Sequence, residues 1–130
     1  MSERLLLDTN VLIRLLVADK RMSSRAARAM ERPGTSLVVS VVSVWELVLK
    51  YQARKLRLHA GITEVLDKIL YDSPWTILPM MPEHLPVLAG LPMLHGDPFD
   101  RILIAQAVHE GLTIVTADEQ IPKYRVRTLW

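Results

Sequence analysis

The sequence predicts an α/β fold in which a parallel β-sheet is covered by helices on both faces, and three observations carry that prediction. Short runs such as RLLLD (4–8) and LTIVTAD (112–118) are almost wholly apolar, which is the composition of strands buried on both sides. These runs alternate with longer stretches of helical period, the order of a parallel sheet with helical crossovers. Pro33-Gly34 and Gly111 stand as breaks between the two kinds of segment.

Each element has its own signal. After the first strand, NVLIRLLVA (10–18) continues as a helix with Thr9 or Asn10 near its start. Residues 23–32 are helical by their alanines and close at Pro33-Gly34. TSLVVS (35–40) reads as a second strand, and residues 43–55 as a helix with Ser43 as its cap. A further helix over 62–72 leads to a strand at 75–80 and a short helix at 82–91 interrupted by Pro86. DPFDRILIAQAVHEG (97–111) is the best-marked helix, with Pro98 suited to its first position and Gly111 as its stop. Strands at 112–118 and 126–130 complete a single domain spanning residues 1–130, without repeats or low-complexity stretches.

Half of the 130 residues are hydrophobic, enough for one core. The absence of cysteine excludes disulfides and thiolate metal sites and fits a reducing compartment. Ser2, Glu3 and Arg4 give way to only three leucines before Asp8, which is no secretory leader, and the apolar runs are far short of the roughly 20 residues of a membrane span. A cytoplasmic protein without a membrane partner is expected. Charge is unevenly spread: residues 1–57 carry 11 Lys or Arg against 5 Asp or Glu, and residues 58–130 carry 5 against 9. Arg21, Arg25, Arg28 and Arg32 recur at spacings of four, three and four, which predicts one basic helix face, and Lys50, Arg54, Lys55 and Arg57 form a second cluster. Solvated surface is the ordinary explanation of such charge; a polyanionic partner is the functional one.

The acids are more specific. In an open α/β sheet, ligands bind beyond the carboxyl ends of the strands. Asp8 ends the first strand and Asp118 closes TIVTAD in the same way, so both are expected to face outward at that edge. Glu46 lies about one turn inside the helix that follows the second strand, at i, i+4 from Lys50. In HGDPFDR, Asp97 before Pro98 is the natural N-cap, and Asp100 projects from the first turn. Four carboxylates converging without a cation would repel one another, whereas oxygen-rich clusters suit Mg²⁺ or Mn²⁺. Such ions support hydrolysis of a phosphodiester, and the remaining Lys and Arg would hold the flanking backbone.

LLLDTNVLI, SVVSVWELVLK, HGDPFDRILIAQA and TIVTADEQI resemble the four acidic motifs of PIN-domain ribonucleases, and DPFDR resembles in particular the VapC toxins of bacterial toxin-antitoxin modules. The resemblance runs from Leu5 to the terminal VRTLW. It implies a three-layer α/β/α sandwich with a central, mostly parallel sheet, and Mg²⁺- or Mn²⁺-dependent cleavage of RNA. The acids of the family fall on Asp8, Glu46, Asp100 and Asp118 as catalytic and metal-binding residues, and Asn10 and Thr116 match polar positions near its site; from their own positions, Asp97 as cap and Arg101 beside Asp100 are expected in support. It further implies a homodimer and a cognate antitoxin laid across the acidic groove. Arg21, Arg25, Arg28, Arg32, Lys50 and Arg54 are the expected RNA contacts.

Other side chains carry less. Arg101 suits a phosphate or a site acid equally well. His95 precedes Asp97 by two residues, but an ordinary loop hydrogen bond accounts for it, and His59, His84 and His109 share no metal-ligand spacing. Trp45 reads as core or interface. A dehalogenase-like phosphatase would need a second aspartate where Asn10 stands, and a receiver domain would need an acidic pair that is absent. An inactive PIN-like scaffold for RNA binding or protein interaction is the remaining rival, and its mark would be missing acids.

Overall fold

The computed structural model describes residues 3–19 and 21–130; Met1 and Ser2 of the leader argument and Lys20 of the basic half lie outside them. Five strands form one sheet: β1 (Arg4–Leu7), β2 (Ser36–Ser40), β3 (Thr76–Leu78), β4 (Thr113–Val115) and β5 (Arg127–Leu129), in the order β3-β2-β1-β4-β5. Among the described residues all four pairings are parallel, and the sheet has no antiparallel edge there. The helices are α1 (Thr9–Leu16), α2 (Ser24–Glu31), α3 (Val41–Gln52), α4 (Ile62–Tyr71), α5 (His84–Ala89) and α6 (Pro98–Glu110), and a 3₁₀ turn covers Ile121–Lys123.

Side-chain alternation along β1 makes the layers. Leu5 and Leu7 pack on one face with Val11 and Leu12 of α1, Ala26 and Ala29 of α2, Leu47 of α3 and Ile69 of α4. Leu6 points to the other face, where Val38 and Ile114 meet Leu103, Ile104 and Ala107 of α6. The three leucines are fully buried, which is why β1 reads as an unbroken apolar run. The result is the expected α/β/α sandwich. Among the described residues no helix is long and apolar enough to cross a membrane.

The order of strands positions the site. From β1 the chain builds outward through β2 to β3, then crosses back to place β4 and β5 on the other side of β1. The switch point is therefore between β1 and β4, where a crevice opens beyond the strand ends.

Several element boundaries differ from the sequence expectation, each for a local reason. β1 ends at Leu7, and Asp8 is the N-cap of α1, its Oδ1 accepting from Val11 N at 2.8 Å. Ser40, not Ser43, caps α3, accepting from Val42 N, because β2 passes directly into the helix. Ser43 is buried inside α3 and accepts from the Thr9 hydroxyl at 3.1 Å. β4 stops at Val115, so Asp118 follows the strand by three residues instead of ending it. Pro86 does not interrupt α5, since it sits in the first turn, where the missing N–H has no helical partner anyway. Gly111 stops α6 as expected, with φ 69 in the left-handed region.

Candidate metal centre

The candidate site is assembled by backbone capping. Asp8 Oδ1 accepts from Val11 N, Asp97 Oδ1 from Phe99 N at 2.9 Å and Asp100 N at 3.3 Å, and Asp118 Oδ1 from Gln120 N at 2.8 Å. Each of these three carboxylates thus has one oxygen held by the local chain, which fixes its direction. Asp100, third residue of α6, directs Oδ2 to His95 Nε2 at 2.9 Å, and the same nitrogen lies 3.6 Å from Asp118 Oδ2.

Glu46 approaches from α3. Its Oε2 lies 3.4 Å from Lys50 Nζ, and Lys50 donates to Asn10 Oδ1 at 3.3 Å. The other oxygen, Oε1, is buried without a hydrogen-bond partner among the described residues, a costly state for a carboxylate unless a cation or water completes it. Glu46, Lys50 and Asp97 line one cavity of about 490 Å³. Behind α3, the Ser40 hydroxyl donates to Gln106 Oε1 at 2.6 Å, which locks α3 against α6 and so fixes Glu46 relative to Asp100.

Electrostatics agree with crowding. Asp8 is only 4 % exposed, so it is not the outward-facing edge residue that its strand-end position suggested. Burial raises its carboxyl above the ordinary value, the Thr116 hydroxyl and Val11 N–H partly offset this, and the Asp118 charge raises it further. The Asp100 carboxyl is pushed up to about 6, first by burial and then by the charges of Asp97 and Asp118, against the lowering effect of His95. Thr116 Oγ1 also accepts from Asp118 N at 3.0 Å, so one hydroxyl links Asp8 to Asp118.

Among the described residues, the one set of three metal-ligating side chains whose ligand atoms all lie within 4.8 Å of one another is His95, Asp97 and Asp100. Asp118 touches this trio through His95 alone, its Oδ2 3.6 Å from Nε2, and Asp8 and Glu46 are not members of the set. His95 is the residue that sequence reasoning set aside: its position two residues before Asp97 was the only signal, and the loop geometry that turns it inward was invisible.

Arg101 takes neither role that its position beside Asp100 suggested. It is buried and donates to Pro92 O at 2.8 Å and to the Tyr124 hydroxyl at 2.9 Å, with its guanidinium 6.0 Å from the Tyr124 ring centre. The same hydroxyl accepts from Leu94 N at 3.1 Å and His95 N at 2.9 Å. Tyr124→Phe is expected to destabilise the protein by about 1–3 kcal/mol, because these buried donors lose their acceptor. Urea unfolding measures this, and a change within about 0.5 kcal/mol would show the clamp to be dispensable.

The basic residues are also redistributed. Only Arg25 and Arg28 lie on α2; Arg21 precedes it and pairs with Asp19 at 2.8 Å, while Arg32 is its C-cap, 3.8 Å from Glu3. The expected four-arginine helix face is therefore two arginines wide, because the helix starts at Ser24 and ends at Glu31. Lys50 belongs to the Glu46 pair and is not a free cation, whereas Arg54 is exposed beyond the end of α3. Trp45 is 57 % exposed and meets Phe99 edge-on at 5.0 Å, so it lies outside the core.

Comparison with known proteins places this arrangement. Ribonuclease VapC22 of Mycobacterium tuberculosis (strain ATCC 25618 / H37Rv) is 27% identical over 121 residues, covering 92% of this chain and 91% of the relative. Among solved structures, VapBC2 from Rickettsia felis, bound to a DNA fragment from its promoter, superposes with a TM-score of 0.69 at 16% identity, covering 97% of both chains. FitAcB from Neisseria gonorrhoeae gives a TM-score of 0.67 at 21% identity, covering 97% of this chain and 96% of that one. A sequence model of the PIN domain matches residues 5–126, nearly the whole length, and the chain belongs to the PIN domain family.

Proposed function

We propose that this chain is a divalent-metal-dependent endoribonuclease that acts as the toxin of a toxin-antitoxin module. The observation that carries the reading is the pairing of locally held carboxylates at the β1/β4 switch point with a buried Glu46 oxygen that has no partner among the described residues. The donor set fits Mg²⁺ or Mn²⁺: oxygen-rich, partly buried, and electrostatically unfavourable without a cation. Asp8, Glu46, Asp100 and Asp118 would hold the ion, with Asp97 adding a free oxygen. When bound, such an ion supplies charge stabilisation to a phosphodiester and an activated water.

The chain's own residues do the rest. Thr116 and the Val11 N–H orient Asp8, the cap of α6 orients Asp97 and Asp100, and Lys50 with Asn10 orients Glu46. The exposed cations Arg25, Arg28 and Arg54 are available to hold flanking RNA phosphates. The name of the VapC22 relative supports ribonuclease activity, and the VapBC neighbour supports an antitoxin partner, whose seat in this proposal is the acidic groove. A homodimer is supported by an apolar cavity of about 330 Å³ between α3 and α6, lined by Val41, Val42, Trp45, Met80, Phe99 and Ile102 among others, several of them exposed.

End-group analysis of the products tests the reaction. Water attack on the phosphodiester needs no 2′-hydroxyl, so cleavage in Mn²⁺ is expected to leave 5′-phosphate and 3′-hydroxyl ends. Products ending in a 2′,3′-cyclic phosphate would overturn the metal-hydrolysis reading. RNA retained without any cleavage would favour the inactive scaffold.

A further inference from the structure

His95 is not one of the acids, yet the fold fixes it among them. Tyr124, 4 % exposed, accepts the N–H groups of both Leu94 and His95 on its hydroxyl. Arg101 bridges that hydroxyl to Pro92 O, so the loop from Pro92 to His95 is held at both ends by one buried pair. With its backbone anchored, His95 sets Nε2 2.9 Å from Asp100 Oδ2 and 3.6 Å from Asp118 Oδ2. Neighbouring ligand atoms of an octahedral ion bound at 2.0–2.1 Å stand about 3 Å apart, so the nitrogen and the Asp100 oxygen are spaced to share one cation. An imidazole nitrogen within an oxygen set favours first-row transition ions over Mg²⁺, because Mg²⁺ is the harder ion.

We propose that His95 is a nitrogen ligand of the divalent-cation site, oriented by the Tyr124–Arg101 clamp, and that it tilts the site toward Mn²⁺ over Mg²⁺. The proposal rests on the metal-site reading given above and adds to it the ligand that sets ion preference. The acids supply charge; His95 supplies discrimination.

Pulsed electron paramagnetic resonance of Mn²⁺ bound to the full chain tests it directly, since a directly bound ¹⁴N modulates the Mn²⁺ echo. Wild-type protein is expected to show the nitrogen modulation. His95→Ala and His95→Gln, the second of which conserves side-chain volume and loop packing, are both expected to lose it. In parallel titrations, His95→Ala is expected to weaken Mn²⁺ binding by about tenfold or more and Mg²⁺ binding by less than about threefold. Bound Mn²⁺ without nitrogen modulation in the wild type, or modulation that survives in both variants, would overturn the role of His95 and leave the carboxylate site standing. No Mn²⁺ bound at millimolar concentration would overturn the metal-site reading itself, and this proposal with it.

Discussion

Asp8→Asn is expected to abolish metal-dependent RNA cleavage, with a rate loss of about 10³-fold or more, and to leave the fold intact. The two halves of that expectation have separate causes. Asn accepts a hydrogen bond at an N-cap as well as Asp does, so the Val11 N–H keeps its partner and α1 keeps its start. The lost charge is one that burial and Asp118 already disfavour, so the metal-free variant should melt no lower than the wild type. With the charge goes the attraction for a cation at the switch point. Initial cleavage rates in Mn²⁺, beside thermal melts without metal, separate the two effects. Unchanged cleavage would remove Asp8 from the mechanism, and a much lower melting temperature would make it a structural residue instead.

The second large effect is on stability, and its sign follows from proton binding. In the unfolded chain, aspartates ionise near pH 4. In the folded protein Asp100 holds its proton up to about pH 6, and Asp8 is raised as well. Between those limits the folded state binds more protons than the unfolded one, so metal-free stability falls as the pH rises from about 4 to 6. The Asp100 contribution, fully present below pH 4 and lost through pH 6, is about 1–2 kcal/mol after discounting for solvent screening. A divalent ion competes for the same oxygens and acts in the opposite sense. At a hundredfold excess over its dissociation constant, it adds about 2.7 kcal/mol, but only where the carboxylates are ionised. Thermal melts with and without Mn²⁺ are therefore expected to show a large metal-induced rise at pH 7 and little at pH 4.5. A rise of equal size at both pH values would contradict the assignment of Asp100 to the metal centre.

Much of the fold could be read from pattern alone. Strands buried on both faces leave unbroken apolar runs, and Leu5, Leu6 and Leu7 satisfy two cores by alternation. The helix at Asp97 was legible because Asp-Pro and a terminal Gly111 are local signals that need no tertiary partner. What escaped was non-local. The burial of Asp8 depends on the strands and helices closing around it, not on its neighbours in sequence. Arg101 turns from the site because Tyr124, 23 residues later, offers a buried hydroxyl. His95 turns inward because the same hydroxyl holds its backbone, a link that no motif spacing encodes. The basic face was overextended for a simpler reason: arginine spacing continued past the residues at which α2 begins and ends.

In the proposed function, the acids at the β1/β4 switch point work through a divalent cation on RNA. The most direct measurement is cleavage of a structured RNA pool by the full chain, free of antitoxin, followed through a Mn²⁺ titration, an excess of chelator, and re-addition of the metal. Cleavage is expected to rise with Mn²⁺, to stop on chelation and to return when the metal is restored. Cleavage that persists in chelator, or RNA left whole at saturating Mn²⁺, would contradict it.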